Sequence, residues 1–152
     1  MASDNFHIRK LELGLRHVNM EYRTGRHVVC SLNLHLVFVT KYRRGVLDKD
    51  AHERLRTAFS KVAADFGAKL VECDGEDDHV HLLVEYPATV QISKLVNSLK
   101  GVGSRLLLRD REDLRRLSRK GLWSPSYFAA SCGGAPIETI RSYVRNQRTP
   151  AA

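Results

Sequence analysis

The chain reads as one α+β domain of ferredoxin-like (RRM-like) form: an antiparallel sheet, two helices on one of its faces, and an added C-terminal helix carrying a tyrosine. Three observations predict it. Apolar residues alternate in short runs with strand period, and two longer segments carry helix period. The elements follow in the order strand, helix, strand, strand, helix, strand, helix. The 152 residues suffice for one sizeable core and show no internal repeat.

Taken in order, residues 1–25 form a basic arm with Arg9, Lys10, Arg16 and Arg23, and Leu11, Leu15 and Val18 could make a short apolar stripe on it. Residues 28–40 predict a long strand, with Leu32, Leu34, Leu36 and Phe38 on one face and Ser31, Asn33 and His35 on the other. The KYRRG segment, 41–45, ends it with a turn. Residues 48–66 predict a helix whose stripe is Ala51, Leu55, Ala58, Phe59, Val62 and Phe66, stopped by Gly67. Strands are expected over 68–73 and 77–86, joined tightly through Asp74-Gly75-Glu76-Asp77. A second helix is expected over 90–109, where Gly101 and Gly103 imply close packing or a bend. Residues 109–121 read as a charged connection, 123–131 as the fourth strand, and 136–147 as the last helix, after Gly133-Gly134.

The formal net charge of +8 favours a polyanionic partner, nucleic acid before an anionic membrane. Cys30, Cys73 and Cys132 are widely spaced and form no Cys-x-x-Cys pair, which argues against a zinc ribbon or a redox motif. They read as reduced thiols of a cytoplasmic protein. The charged N-terminal segment lacks the apolar core of a secretory signal, and no apolar run approaches a membrane span.

The chemistry concentrates in two places. His79 and His81 lie two apart on the third strand, so both imidazoles share a face, about 7 Å apart, and can converge on one ion. That face is expected to be the open one, away from the helices. Tyr143 and Gln147 lie four apart on the last helix and so neighbour each other. A phenol is a weak nucleophile at neutral pH, and a neighbouring metal can polarise the phosphate that it attacks. Either pair alone could be ordinary surface or packing residues. Together, on a basic chain, they suit the cutting of a nucleic-acid strand.

Five segments resemble blocks of one family in the family's order: HLVFVTKYRRGVL (35–47), DDHVHLLVEYP (77–87), ISKLVNSLKGVGSRLL (92–107), LWSPSYF (122–128) and IETIRSYVRNQ (137–147). The family is that of the HUH-type single-tyrosine transposases of small insertion sequences (IS-two-hundred-like). The resemblance makes 26–150 a single HUH transposase domain behind the arm. It implies Mg²⁺ or Mn²⁺ on His79, His81 and Gln147, and Tyr143 as nucleophile. It implies single-stranded DNA with hairpin ends as the partner, a 5′-phosphotyrosine intermediate, and a homodimer with active sites shared between subunits. It also implies a bacterial or archaeal cell. Gly133-Gly134 could serve as the hinge of the shared helix.

Further residues were weighed beside these. Asp78 could orient His79 or the metal, and His35 could share the histidine face. Lys41, Arg43, Arg44, Lys100 and Arg105 are the expected DNA-binding cations. Lys41, Arg43 and Arg44 end the first long strand, whereas Lys100 and Arg105 belong to a segment, 94–120, with nine Lys or Arg against Asp110, Glu112 and Asp113. Tyr42, Trp123, Tyr127 and Phe128 could stack on unpaired bases, Trp123 and Phe128 equally being core residues. The alternatives from other classes are a noncatalytic nucleic-acid-binding module of RRM-like fold and a domesticated relative that processes chromosomal repeat hairpins.

Overall fold

The structure is a computed structural model that describes residues 23–24, 29–30 and 32–131, with side chains described from residue 32 onward. A short ribbon comes first: β1 (Arg23–Thr24) runs antiparallel to β2 (Val29–Cys30). The main sheet holds β3 (Asn33–Val39), β4 (Lys69–Gly75), β5 (His79–Glu85) and β6 (Phe128–Ser131), in the order β4-β5-β3-β6 with every pairing antiparallel. Helices α1 (Lys49–Asp65) and α2 (Ile92–Asp110) cover one face. This is the ferredoxin-like arrangement expected. Most of the arm and the helix expected over 136–147, with Tyr143 and Gln147, lie outside the described residues.

The core forms where the two periodicities meet. Leu34, Leu36 and Phe38 of β3 and Val80, Leu82 and Val84 of β5 project from one sheet face. Against them α1 sets Ala51, Leu55, Phe59 and Val62, and α2 sets Leu95, Val96, Leu99 and Leu107. Phe59 and Trp123 pack on Phe38 with ring centroids 5.9 and 5.8 Å away, both edge-on. Trp123 is therefore a core residue, and its indole N–H donates to the Lys100 carbonyl at 3.1 Å.

Helix α1 begins where the Asp48 carboxylate accepts the Ala51 N–H at 2.8 Å. It ends at Asp65, two residues before Gly67, whose φ of +68° suits glycine. Gly103 of α2 lies against α1 so closely that a Cβ there would stand 2.6 Å from Phe59 Cε1. The close packing expected of this glycine is thus observed, whereas Gly101 faces open space.

Three elements depart from expectation. The strand expected over 28–40 is divided, because β5 offers only seven partners, one for each residue of 33–39. Residues 29–30 pair instead with β1. The charged connection contains a helix, α3 (Glu112–Leu117), anchored by buried Leu114. Before it Arg111 bonds Asp48, Asp50 and Asp113, and its hydrogen bonds, with that of the Ala51 N–H, hold the Asp48 carboxyl down to about 2. The fourth strand is shorter than 123–131. Trp123 bridges Thr40 and the Ser124 N–H bonds Val39, but Pro125 has no N–H to continue the ladder, which resumes at Phe128.

Candidate metal centre and nucleic-acid interface

The second face of the sheet carries the histidines. His79 stands opposite Val39 and His81 opposite Val37, so both imidazoles leave the same face. His35, opposite Leu83, lies diagonally from His81 on that face. The face is not the open surface expected. His35, His79 and His81 are only 6, 6 and 4% exposed, and Val37, Val39 and Leu83 among them are buried as well. Apolar side chains interleave with the imidazoles, so exposing this face would wet three aliphatic residues. Burial also holds the His35 pKa below its ordinary value.

The KYRRG turn fastens itself to this site. The Thr40 backbone N–H donates to the Asp78 carbonyl at 2.9 Å. The Thr40 hydroxyl, also inside the fold, shares its one proton between the Arg44 and Asp78 carbonyls, at 2.8 and 3.1 Å. Leu47 N–H reaches the Asp77 carbonyl at 2.8 Å. Between these ties Tyr42 and Arg43 take left-handed backbone angles, φ +61° and +53°, a conformation that costs a non-glycine residue about 1 kcal/mol or more. The result is a division of labour: the Tyr42 ring turns outward, and the Arg43 side chain turns in.

Inside, the Asp78 carboxylate is shared. Oδ1 accepts from His79 Nδ1 at 2.7 Å and Oδ2 accepts from Arg43 Nε at 2.6 Å. Burial alone would raise the Asp78 pKa, but the hydrogen bonds from His79 and Arg43, with their charges, hold it below its ordinary value. An ionised carboxylate on Nδ1 fixes the imidazole tautomer with its lone pair on Nε2, the nitrogen a metal would use. Glu76, Asp78 and His79 also bring ligand atoms within 4.8 Å of one another, a second donor grouping that shares His79. Two imidazoles beside carboxylates are a donor set that fits a divalent ion such as Mn²⁺ or Mg²⁺.

The expected DNA-binding cations divide by position. Lys41 donates to the Lys120 carbonyl at 2.9 Å, and Arg44 donates to the Leu117 carbonyl. With Lys120 they surround Tyr42, at 5.9, 5.3 and 6.0 Å from its centroid. Arg105 is exposed on α2. Arg43 faces the histidine site. Lys100 is half-buried, with its ammonium on the carbonyls of the 124–126 loop and burial lowering its pKa. Sequence reasoning missed Thr40 as a structural tie, and it did not pair Arg43 with Asp78. The one available signal was that Arg43 and Asp78 both stand among the candidate residues.

A ferredoxin-like sheet with paired imidazoles on the face away from its helices, in a chain this basic, is the frame of a DNA-processing transposase. Residues 28–147 match the model of the family described as Transposase IS200 like, and the chain belongs to that family. It is 30% identical over 129 residues to the ISDra2 transposase TnpA of Deinococcus radiodurans, covering 84% of this chain and 92% of that protein. It is 25% identical over 122 residues to the transposase for insertion sequence element IS200 of Salmonella typhimurium, covering 80% of each. A Deinococcus radiodurans crystal structure of a candidate transposase superposes with a TM-score of 0.78 at 29% identity, covering 84% of this chain and 99% of that one. The fold is also that of a REP-associated tyrosine transposase bound to a REP hairpin, with a TM-score of 0.52 at 16% identity over 80% of this chain and 67% of that one. No described helix is long and apolar enough to cross a membrane.

Proposed function

We propose that this transposase cleaves and rejoins single-stranded DNA at insertion-sequence ends through a 5′-phosphotyrosine on Tyr143. The observation that carries the reading is the buried pair His79 and His81 on one sheet face, with His79 held by Asp78. The family match extends through Tyr143 and Gln147. His79, His81 and Gln147 would hold Mg²⁺ or Mn²⁺, which when bound polarises the scissile phosphate and offsets its developing charge.

The Tyr143 oxygen attacks the phosphorus, the bond to the 3′ oxygen breaks, and that oxygen leaves as a hydroxyl. A second 3′-hydroxyl then attacks the phosphotyrosine, releases the phenol and reseals the strand. One phosphoester is exchanged for another at each step, so no nucleotide cofactor is required. Asp78 keeps His79 in the tautomer that presents Nε2. Buried Val37, Val39 and Leu83 keep water from the histidine face, which favours transfer to a hydroxyl over hydrolysis.

The DNA partner is expected to carry a hairpin, in keeping with the hairpin-bound neighbour. Two copies are expected to share their sites, the tyrosine helix of one completing the histidine site of the other. The test uses single-stranded oligonucleotides from both strands flanking the gene, incubated with protein and Mn²⁺ and separated on a denaturing gel. An adduct that needs one strand, the metal and Tyr143 is expected. Tyr143→Phe should abolish it while leaving DNA affinity within about two-fold. Tight binding without an adduct on any strand would favour the noncatalytic binding module.

A further inference from the structure

We infer that Arg43 is a positioning residue for His79, acting through Asp78, rather than a cation that contacts DNA phosphate. The inference rests on the metal reading of His79. Its geometric basis is a chain of three side chains, Arg43–Asp78–His79, that are 12, 13 and 8% exposed. The two carboxylate oxygens are divided between the guanidinium and the imidazole, at 2.6 and 2.7 Å. Neither oxygen can change partner without disturbing the other contact.

The backbone points the same way. Arginine rarely adopts a φ of +53°, and Tyr42 before it is left-handed too. The turn holds them there: the Arg43 N–H donates to the Thr40 carbonyl at 2.8 Å, while Thr40 is bonded to the Asp78 carbonyl. The strained turn and the residue beside His79 are therefore one hydrogen-bonded unit. That unit carries the Arg43 side chain beneath the surface, 12% exposed, with its Nε–H committed to Asp78.

Without Arg43, Asp78 would have one partner and would be free to rotate away from His79 Nδ1. Lysine keeps the charge but ends in a compact ammonium, without the planar guanidinium whose Nε–H meets Oδ2 beside the imidazole. Glutamine keeps a donor but loses the charge. The other cations of the same turn, Lys41 and Arg44, have no contact with Asp78 among their hydrogen bonds and serve as controls.

The experiment measures Mn²⁺ affinity of the full chain without DNA, by calorimetry or by electron paramagnetic resonance, and hairpin single-strand affinity in EDTA. Arg43→Gln and Arg43→Lys should each weaken Mn²⁺ binding about ten-fold or more, and leave DNA affinity within about two-fold. Asp78→Asn should produce a similar loss, and combining it with Arg43→Gln should add little, as groups in one network do. The ¹⁵N spectrum of His79 should lose its Nδ1-protonated signature in Arg43→Gln, a readout independent of any metal. Matched circular dichroism spectra exclude a folding defect, and if Arg43→Gln does not fold, Arg43→Lys decides. Unchanged Mn²⁺ affinity with weakened DNA binding would make Arg43 a phosphate contact and overturn the inference while the metal reading stands. If His79→Ala binds Mn²⁺ as the wild type does, the metal reading itself fails, and the inference with it.

Discussion

Lys100 on α2 places its ammonium 2.7, 3.4 and 3.2 Å from the carbonyls of Ser124, Pro125 and Ser126. It also lies 5.9 Å from the centroids of Phe38 and Tyr127. Those carbonyls belong to the loop that Pro125 breaks out of the sheet ladder, so a side chain supplies the donor that the neighbouring strand cannot. Lys100→Met keeps the aliphatic stem and removes the donor. It should lower the unfolding free energy by about 2 kcal/mol, the scale of a hydrogen bond to a charged group, measured by urea denaturation. A loss below about 0.5 kcal/mol would mean that water replaces the ammonium, as at a surface pair. At this scale the sequence showed which residues carry charge but not what they touch. Lys100 and Arg43 read as DNA contacts because both stand in a basic chain, and each has its partner inside the fold. His79 and His81 were legible because strand alternation puts both on one face whatever the surroundings. Their burial was legible too, though not read: HVHLLV is nearly continuous in apolar residues, the pattern of a strand covered on both faces.

Among the elements, α2 carries a paired test. Gly101 and Gly103 stand two apart in one helix, so intrinsic propensity treats them alike, at about 1 kcal/mol in favour of alanine. Packing separates them. A Cβ at Gly101 meets nothing within 4 Å, whereas at Gly103 it would stand 2.6 Å from Phe59 Cε1 and 3.3 Å from Leu55 Cδ2. Gly101→Ala should raise stability by about 0.5–1 kcal/mol. Gly103→Ala should lower it by about 1–3 kcal/mol as α1 and α2 are pushed apart. Thermal unfolding of the two variants should move the midpoint in opposite directions; a gain at both positions would show that α1 gives way easily. The helices were legible because each carries a long apolar stripe, and Gly67 marks the end of α1. Shorter elements were less so. Six residues of α3 rest on buried Leu114, too little periodicity to distinguish from a charged loop. The split of 28–40 depended on the length of its partner strand, which is a property of another part of the chain.

Across the whole molecule, the charge of +8 overstates what is available to a polyanion. Arg43 is bonded to Asp78, Lys100 to a loop, and Arg111 to three carboxylates that join the start of α1 to α3. Of the cations expected to bind DNA, three are still expected to meet phosphate: Arg105 is exposed on α2, and Lys41 and Arg44 each donate to a single backbone carbonyl beside the exposed Tyr42 ring. Counterion release makes this count measurable. With about three phosphate contacts, log affinity for a single strand should fall against log salt with a slope of about −2, roughly a twenty-fold loss from about 50 to 200 mM. Combining Lys41→Ala with Arg44→Ala should bring that slope to about −0.7, with weaker binding to every sequence alike. A wild-type slope steeper than about −5 would require about seven contacts or more in place of about three, the basic arm being the obvious source. The measurement, by fluorescence anisotropy in EDTA, therefore counts how much of the net charge faces the nucleic acid and how much holds the fold together.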